Sequence, residues 1–165
     1  MNNAEITEAQ KSGSRIAARA NIREVRLLGS SVELAKLPSP SRQLRYKVEK
    51  ETEVEYNDGD NSFVVVAGYN VVIDDVEIGQ DSEEAEPAED HIADINFRIA
   101  GLFTLEMRDG DDPPKSEELT AYAFSTGNFA LHPYAREYIY NVTGRLALPP
   151  LTIGVLQLDF PNDAR

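Results

Sequence analysis

Residues 44–56 alternate between two chemistries. Leu44, Tyr46, Val48, Thr52, Val54 and Tyr56 share one parity; Arg45, Lys47, Glu49, Glu51, Glu53 and Glu55 share the other. A period of two over this length describes a β-strand with one face in a core and one in water. Such a strand belongs in a sheet that is covered on one side only, which points to antiparallel pairing.

Its neighbours continue the pattern. Asn57-Asp58-Gly59-Asp60 is a turn signal. A third strand follows from about Phe63 to Ile73, with Phe63, Val65, Ala67, Tyr69, Val71 and Ile73 on one face. Val64, Val66 and Val72 load its other face, so part of this strand is expected to be covered on both sides. A strand from near Ile92 to about Met107 buries Ile95, Phe97, Ile99, Gly101, Phe103 and Leu105. Ahead of all three, Ile22, Val25, Leu27, Leu28, Val32 and Leu34 alternate imperfectly, and a bulge near Leu27–Leu28 reconciles the two halves. Pro38 and Pro40 end that strand.

The remaining segments are helical or polar. Residues 14–20 suggest a short helix capped by Ser12 or Ser14. Ser116, Glu117 and Glu118 start a helix reaching about Phe124, with acids at its positive end. Gly127 and Asn128 are expected to break it. The longest helix is expected to begin near Pro133, in the first turn where a missing N–H costs nothing. Tyr134, Tyr138 and Val142 recur along it at intervals of four, with Ala135, Ile139 and Leu146 beside them, and Pro149-Pro150 stops it. The sum is an α+β chain: a four-stranded antiparallel sheet with helices packed on one face. The expected organisation is an N-terminal helix or arm at 1–21, one domain at 22–158 and a short tail at 159–165. Two long sheet edges predict an oligomer.

Composition excludes several classes of function. The 165 residues carry 29 acids against 16 lysines and arginines, a net charge of −13. Phosphate binding needs the opposite balance, so nucleic acid is not an expected partner. Absence of cysteine removes disulfides, thiolate nucleophiles and cysteine-ligated metal. No apolar run is long enough to span a bilayer, and no signal-peptide run opens the chain, so a cytoplasmic protein is expected. Ten acids and no lysine or arginine lie from Asp74 to Asp94, a stretch read as a solvated loop.

Chemistry-bearing motifs are sparse. No glycine-rich loop joins a strand to a helix, so no nucleotide or other cofactor is expected. His132, near Tyr134 and Glu137, is either a general base or a residue that packs at a helix start. His91, beside Asp90 and near Asp94, offers at most incidental attraction for a divalent cation, and no metal site is assigned. Asn141-Val142-Thr143 matches a glycosylation pattern but falls inside a predicted helix. The stronger signal is an aromatic load: Tyr122, Phe124, Phe129, Tyr134, Tyr138 and Tyr140 within 19 residues, followed by Ala147, Leu148, Leu151, Ile153 and Val155. One helix cannot turn all of these toward one sheet. The surplus suits either an oligomer interface or a groove for other polypeptides.

The stretch Phe129-Ala130-Leu131-His132-Pro133-Tyr134-Ala135-Arg136-Glu137-Tyr138-Ile139 resembles a motif of the SecB family of bacterial chaperones. The run from Thr143 to Leu151 and the order of four strands before helices fit the same family. Glu117 to Ala123 and Gly144 to Leu151 are similar to the SecB-like chaperones associated with toxin–antitoxin systems. The resemblance implies a homotetramer built as a dimer of dimers, without nucleotide dependence and without catalysis. It would hold unfolded or aggregation-prone polypeptides, an antitoxin among them, in hydrophobic grooves. Pro133, Tyr134, Arg136, Glu137, Gly144, Arg145 and Pro149 match the family motif and are read as structural or assembly residues. Candidates for the groove are Phe124, Phe129, Tyr138, Leu148 and Leu151. Export chaperones of the family dock a translocation motor through a zinc-binding tail. Without cysteine that contact is excluded, and the acidic sheet face is a surface that could still meet a motor. Two other readings stay open: an oligomeric adaptor for one folded partner, and a small enzyme built on His132.

Overall fold

The computed structural model describes residues 13–57, 59–76 and 91–154. Four strands, β1 (Ala20–Leu34), β2 (Gln43–Tyr56), β3 (Ser62–Val76) and β4 (His91–Leu105), form one antiparallel sheet in the order β1-β4-β3-β2. A helical segment over residues 13–17 (α1) precedes them. After β4 come α2 (Ser116–Tyr122), a π-helical turn (Ala123–Gly127) and α3 (Asn128–Arg145). The expected α+β architecture is present, and the alternation of residues 44–56 lies along β2.

The helices cover the face that carries the odd-numbered residues of β3 and β4. Phe63, Val65, Ala67, Val71, Ile95, Ile99 and Phe103 are buried there against Leu119, Tyr122, Leu131, Ala135 and Ile139. Phe63 and Phe103 stack with centroids 5.3 Å apart, and Tyr122 sets its ring edge-on to both. Ile16, fully buried, anchors α1 in this core. Gly13 brings α1 close to α2, because a Cβ there would stand 3.2 Å from the Tyr122 backbone nitrogen. Glu118, buried near the start of α2, accepts a hydrogen bond from the Lys115 N–H at 3.0 Å and lies 3.5 Å from Arg15.

The bulge expected near Leu27–Leu28 is a register shift between Leu27 and Gly29, and a second shift falls between Ile22 and Glu24. The two shifts keep Ile22, Val25, Leu27, Val32 and Leu34 on the helix-side face, opposite Phe103, Gly101, Ile99, Ile95 and Ala93. The double cover expected for β3 is found at Val66, which is 3% exposed on the outer face. There Arg98 and Glu53 pair at 3.0 Å across β3.

Four boundaries differ from expectation. First, α1 ends earlier than expected, and β1 is already formed at Ala20. Second, Gly127 and Asn128 do not break the helices. Gly127 keeps helical angles and its lack of a side chain lets it approach Val65, whose Cγ2 would lie 3.2 Å from a Cβ. Asn128 is buried, donating to the Phe124 carbonyl at 3.2 Å and accepting from Thr52 Oγ1 at 3.0 Å. It thereby takes up a carbonyl in the π turn that a regular helix would satisfy by other means. Third, Pro133 lies inside α3, not in its first turn. Fourth, the polar interval between β3 and β4 is narrower than Asp74–Asp94. Asp74, Asp75 and Asp94 belong to strands, where cations or backbone donors compensate them: Ser39 N–H donates to Asp75 at 3.0 Å, and Arg42 lies 3.5 Å from it. Residues 77–90 of that acidic stretch lie outside the described residues, as do 1–12 and 155–165, which hold Ser12, Val155 and the expected tail.

Candidate functional site: two open apolar surfaces

The first open surface is a row on β1. Ile22, Leu27, Val32 and Leu34 are 41%, 50%, 41% and 37% exposed, although they share the face on which β3 and β4 are buried. The helices cover the middle of the sheet and leave this edge bare. Tyr138 of α3, half-buried, packs on Phe97 with centroids 4.5 Å apart. Phe97 stacks on Tyr69 at 5.0 Å and stands in register with Ser30 of β1. Burial pushes the Tyr69 phenol up to about 12, so it stays neutral, and its hydroxyl has no partner among the described residues. Lys50, on the same face in register with Tyr69, has its pKa lowered by burial.

The second surface lies on the helices. The sheet-facing line of α3 is Asn128, Leu131, Ala135, Ile139 and Thr143. Phe129, Tyr134 and Tyr140 are therefore exposed on other faces, as is Phe124 in the π turn. Phe129, His132, Pro133, Arg136, Tyr140 and Thr152 line an open depression of about 590 Å³. The segment after α3 closes one side of it. Ala147 adopts φ 57°, which turns the chain back, and Thr143 Oγ1 accepts the Leu151 N–H at 2.9 Å. His132 Nε2 donates to the Gly154 carbonyl at 2.8 Å. This bond requires the Nε2–H tautomer while the ring is neutral, and Nδ1 is buried without a partner among the described residues. Among the described residues neither nitrogen meets a carboxylate or a nucleophile, and the Nε2 bond holds the returning chain against α3.

The five groove candidates separate. Phe124 and Phe129 belong to the helix surface, and Tyr138 borders the sheet side. Leu151 is half-buried against the core, and Leu148, 4% exposed, is part of the core itself. Among the motif residues, Pro133, Tyr134, Arg136, Glu137, Gly144, Arg145 and Pro149 are all exposed. Glu137 accepts a hydrogen bond from Asn141 one turn along. The sequence pattern marks the apolar parity of β1 but does not predict that this row is left open. No His, Asp and Glu side chains among the described residues are grouped to hold a metal ion, and no described helix is long and apolar enough to cross a membrane.

No protein-family model matches the sequence. Curated relatives do match. The SecB-like chaperone Rv1957 of Mycobacterium tuberculosis (strain H37Rv) is 41% identical, covering 96% of this chain and 89% of its own length. The SecB-like chaperone MT2006 of Mycobacterium tuberculosis (strain CDC 1551) is 40% identical over the same shares. A solved structure of Rv1957, in complex with a ChAD peptide from the Rv1956 HigA1 antitoxin, aligns with TM-score 0.78 at 39% identity. It covers 92% of this chain and 99% of its own. Fold and sequence are similar along almost the whole length, and the chain belongs to the SecB-like chaperones.

Proposed function

We propose that this chain is a cytoplasmic, nucleotide-independent holdase whose principal client is an antitoxin. The observation that carries the reading is the exposed apolar row on β1, bordered by Tyr138, on a face that elsewhere is buried core. An extended client laid along it would remove apolar surface from water at roughly 25 cal/mol per Å², before ordering costs. The antitoxin peptide bound by the 39%-identical relative supports the identity of the client. The helix surface with Phe124, Phe129, Tyr134 and Tyr140 is read as the assembly face of a homotetramer, together with the motif residues beside it. Several β1 rows in one assembly give one client several attachment points. The client groove then lies at the sheet edge, and Tyr138 is the sequence-predicted groove residue that borders it. This reading involves no catalysis, and the acidic outer face of β2 remains a surface available to a translocation motor.

Light scattering coupled to size exclusion tests it, with and without a chemically unfolded polypeptide and an antitoxin fragment, in the absence of ATP. A particle of four chain masses that captures both is expected. An oligomer that ignores both would leave the adaptor reading in its place.

A further inference from the structure

The corner of the sheet where β3 ends and β4 begins holds a charge cluster that client binding does not use. His91 stands opposite Asp74 in register, at the shift between Ile73 and Asp74. Its ring nitrogens face two different carboxylates: Nε2 lies 2.8 Å from Oδ2 of Asp94, and Nδ1 lies 3.4 Å from Oδ1 of Asp74. A neutral imidazole has one N–H and one lone pair, so it satisfies only one of them. The other nitrogen would then point its lone pair at a carboxylate oxygen. Only the imidazolium donates to both.

The surrounding charges cross all four strands. Arg45 of β2 sets Nη2 3.7 Å from Asp74 Oδ2, and Glu33 of β1 is in register with Asp94. Asp75, buried next to Asp74, has Arg42 as its own partner at 3.5 Å. Asp74, Asp94 and Glu33 are thus gathered at one end of the sheet with Arg45 and a charged His91 to balance them. Among the described residues, loss of the His91 proton removes one of the cations that face Asp74, Asp94 and Glu33.

We infer that His91 is a proton-operated clasp, fastening the ends of β3 and β4 when charged and loosening this corner, with the Val32–Leu34 end of the open β1 row, when neutral. Burial disfavours the charged ring, but the hydrogen bonds and charges of Asp94 and Asp74 outweigh it, and the His91 pKa lies above its ordinary value. The sign follows: the clasp contributes fully below the unfolded-state pKa of about 6.5 and is lost as pH rises through the folded-state value.

Two measurements on the full chain between pH 6 and 9 test this: the NMR titration of the His91 ring, and amide-exchange protection factors at residues 32–34, 72–74 and 91–95. The expected result is a midpoint above 6.5, with protection at this corner lost as pH rises through that midpoint. Protection at Val65–Ala67 should stay constant. In His91→Gln, protection at the corner should be low at every pH. A midpoint at or below 6.5, or a fall of equal size in His91→Gln, would overturn the inference. Should the variant not fold, the wild-type midpoint and its coincidence with the protection step still decide.

Discussion

Leu131 of α3 rests directly on Gly101 of β4: a Cβ at Gly101 would lie 2.8 Å from Leu131 Cδ2 and 2.9 Å from Phe103 Cε2. The missing side chain is what lets the long helix settle on the centre of the sheet. Both neighbours are buried in the core and have little room to move. Gly101→Ala is expected to destabilise the chain by about 1–3 kcal/mol through overpacking. In a Leu131→Ala background the cost should shrink, because the removed isobutyl leaves space for the methyl. A double-mutant cycle in urea measures the coupling, and strictly additive values would show that Leu131 is not the obstacle.

Asn128 ties the π turn to β2. Replacing it with Ala leaves the Thr52 hydroxyl and the Phe124 carbonyl without their partner in a buried site. The expected loss is about 1–3 kcal/mol, with Thr52→Val costing less because Asn128 keeps its bond to the helix. Equilibrium denaturation ranks the two, and a larger loss for Thr52→Val would contradict the assignment.

Thr143 does the same for the segment after α3. Its hydroxyl donates to the Ile139 carbonyl at 2.9 Å and accepts the Leu151 N–H at 2.9 Å. Thr143→Val preserves shape and deletes both bonds, so a loss of about 1–2 kcal/mol is expected. Amide exchange at Leu151 should quicken in Thr143→Val, and stay slow in Thr143→Ser, which retains the hydroxyl.

The two open surfaces can be told apart by charge insertion. Leu27→Asp with Val32→Asp should reduce capture of an unfolded polypeptide about tenfold or more, since each change costs apolar contact worth about 1.5 kcal/mol or more. The oligomer should remain intact. Phe129→Asp with Tyr140→Asp should instead shift the mass distribution toward smaller species. Intact capture in the first variant and lost capture in the second would return the groove to the helix surface.

The sheet was legible because its signals are local. Parity in residues 44–56, the turn at 57–60 and the crowding of Leu27 on Leu28 each specify their own neighbourhood. The helices were harder to read because tertiary contacts overrule local preference. Gly127 and Asn128 are poor helix residues in isolation, yet one is selected by its fit to Val65 and the other by its bond to Thr52. The apolar set read along this helix was broad: of its members Ala135 and Ile139 lie on the buried line, while Tyr138, Val142 and Leu146 flank it and Tyr134 is exposed. The buried line runs through Leu131, Ala135, Ile139 and Thr143, where small and polar side chains let the helix sit close to the sheet. The β1 row could not be located from periodicity alone, because periodicity gives a strand's apolar face and not the width of the layer above it.

Strand order has a consequence during synthesis. β2, β3 and β4 are consecutive and can pair as a meander as they are made, but β1 docks on β4. From the end of β1 to the end of β4 the ribosome must add roughly 70 residues, about 4–14 s at ordinary elongation rates. Throughout that interval Ile22, Leu27, Val32 and Leu34 are attached to a strand with no edge to join. For those seconds the nascent chaperone is chemically the same kind of object as its clients, an exposed apolar strand awaiting a sheet.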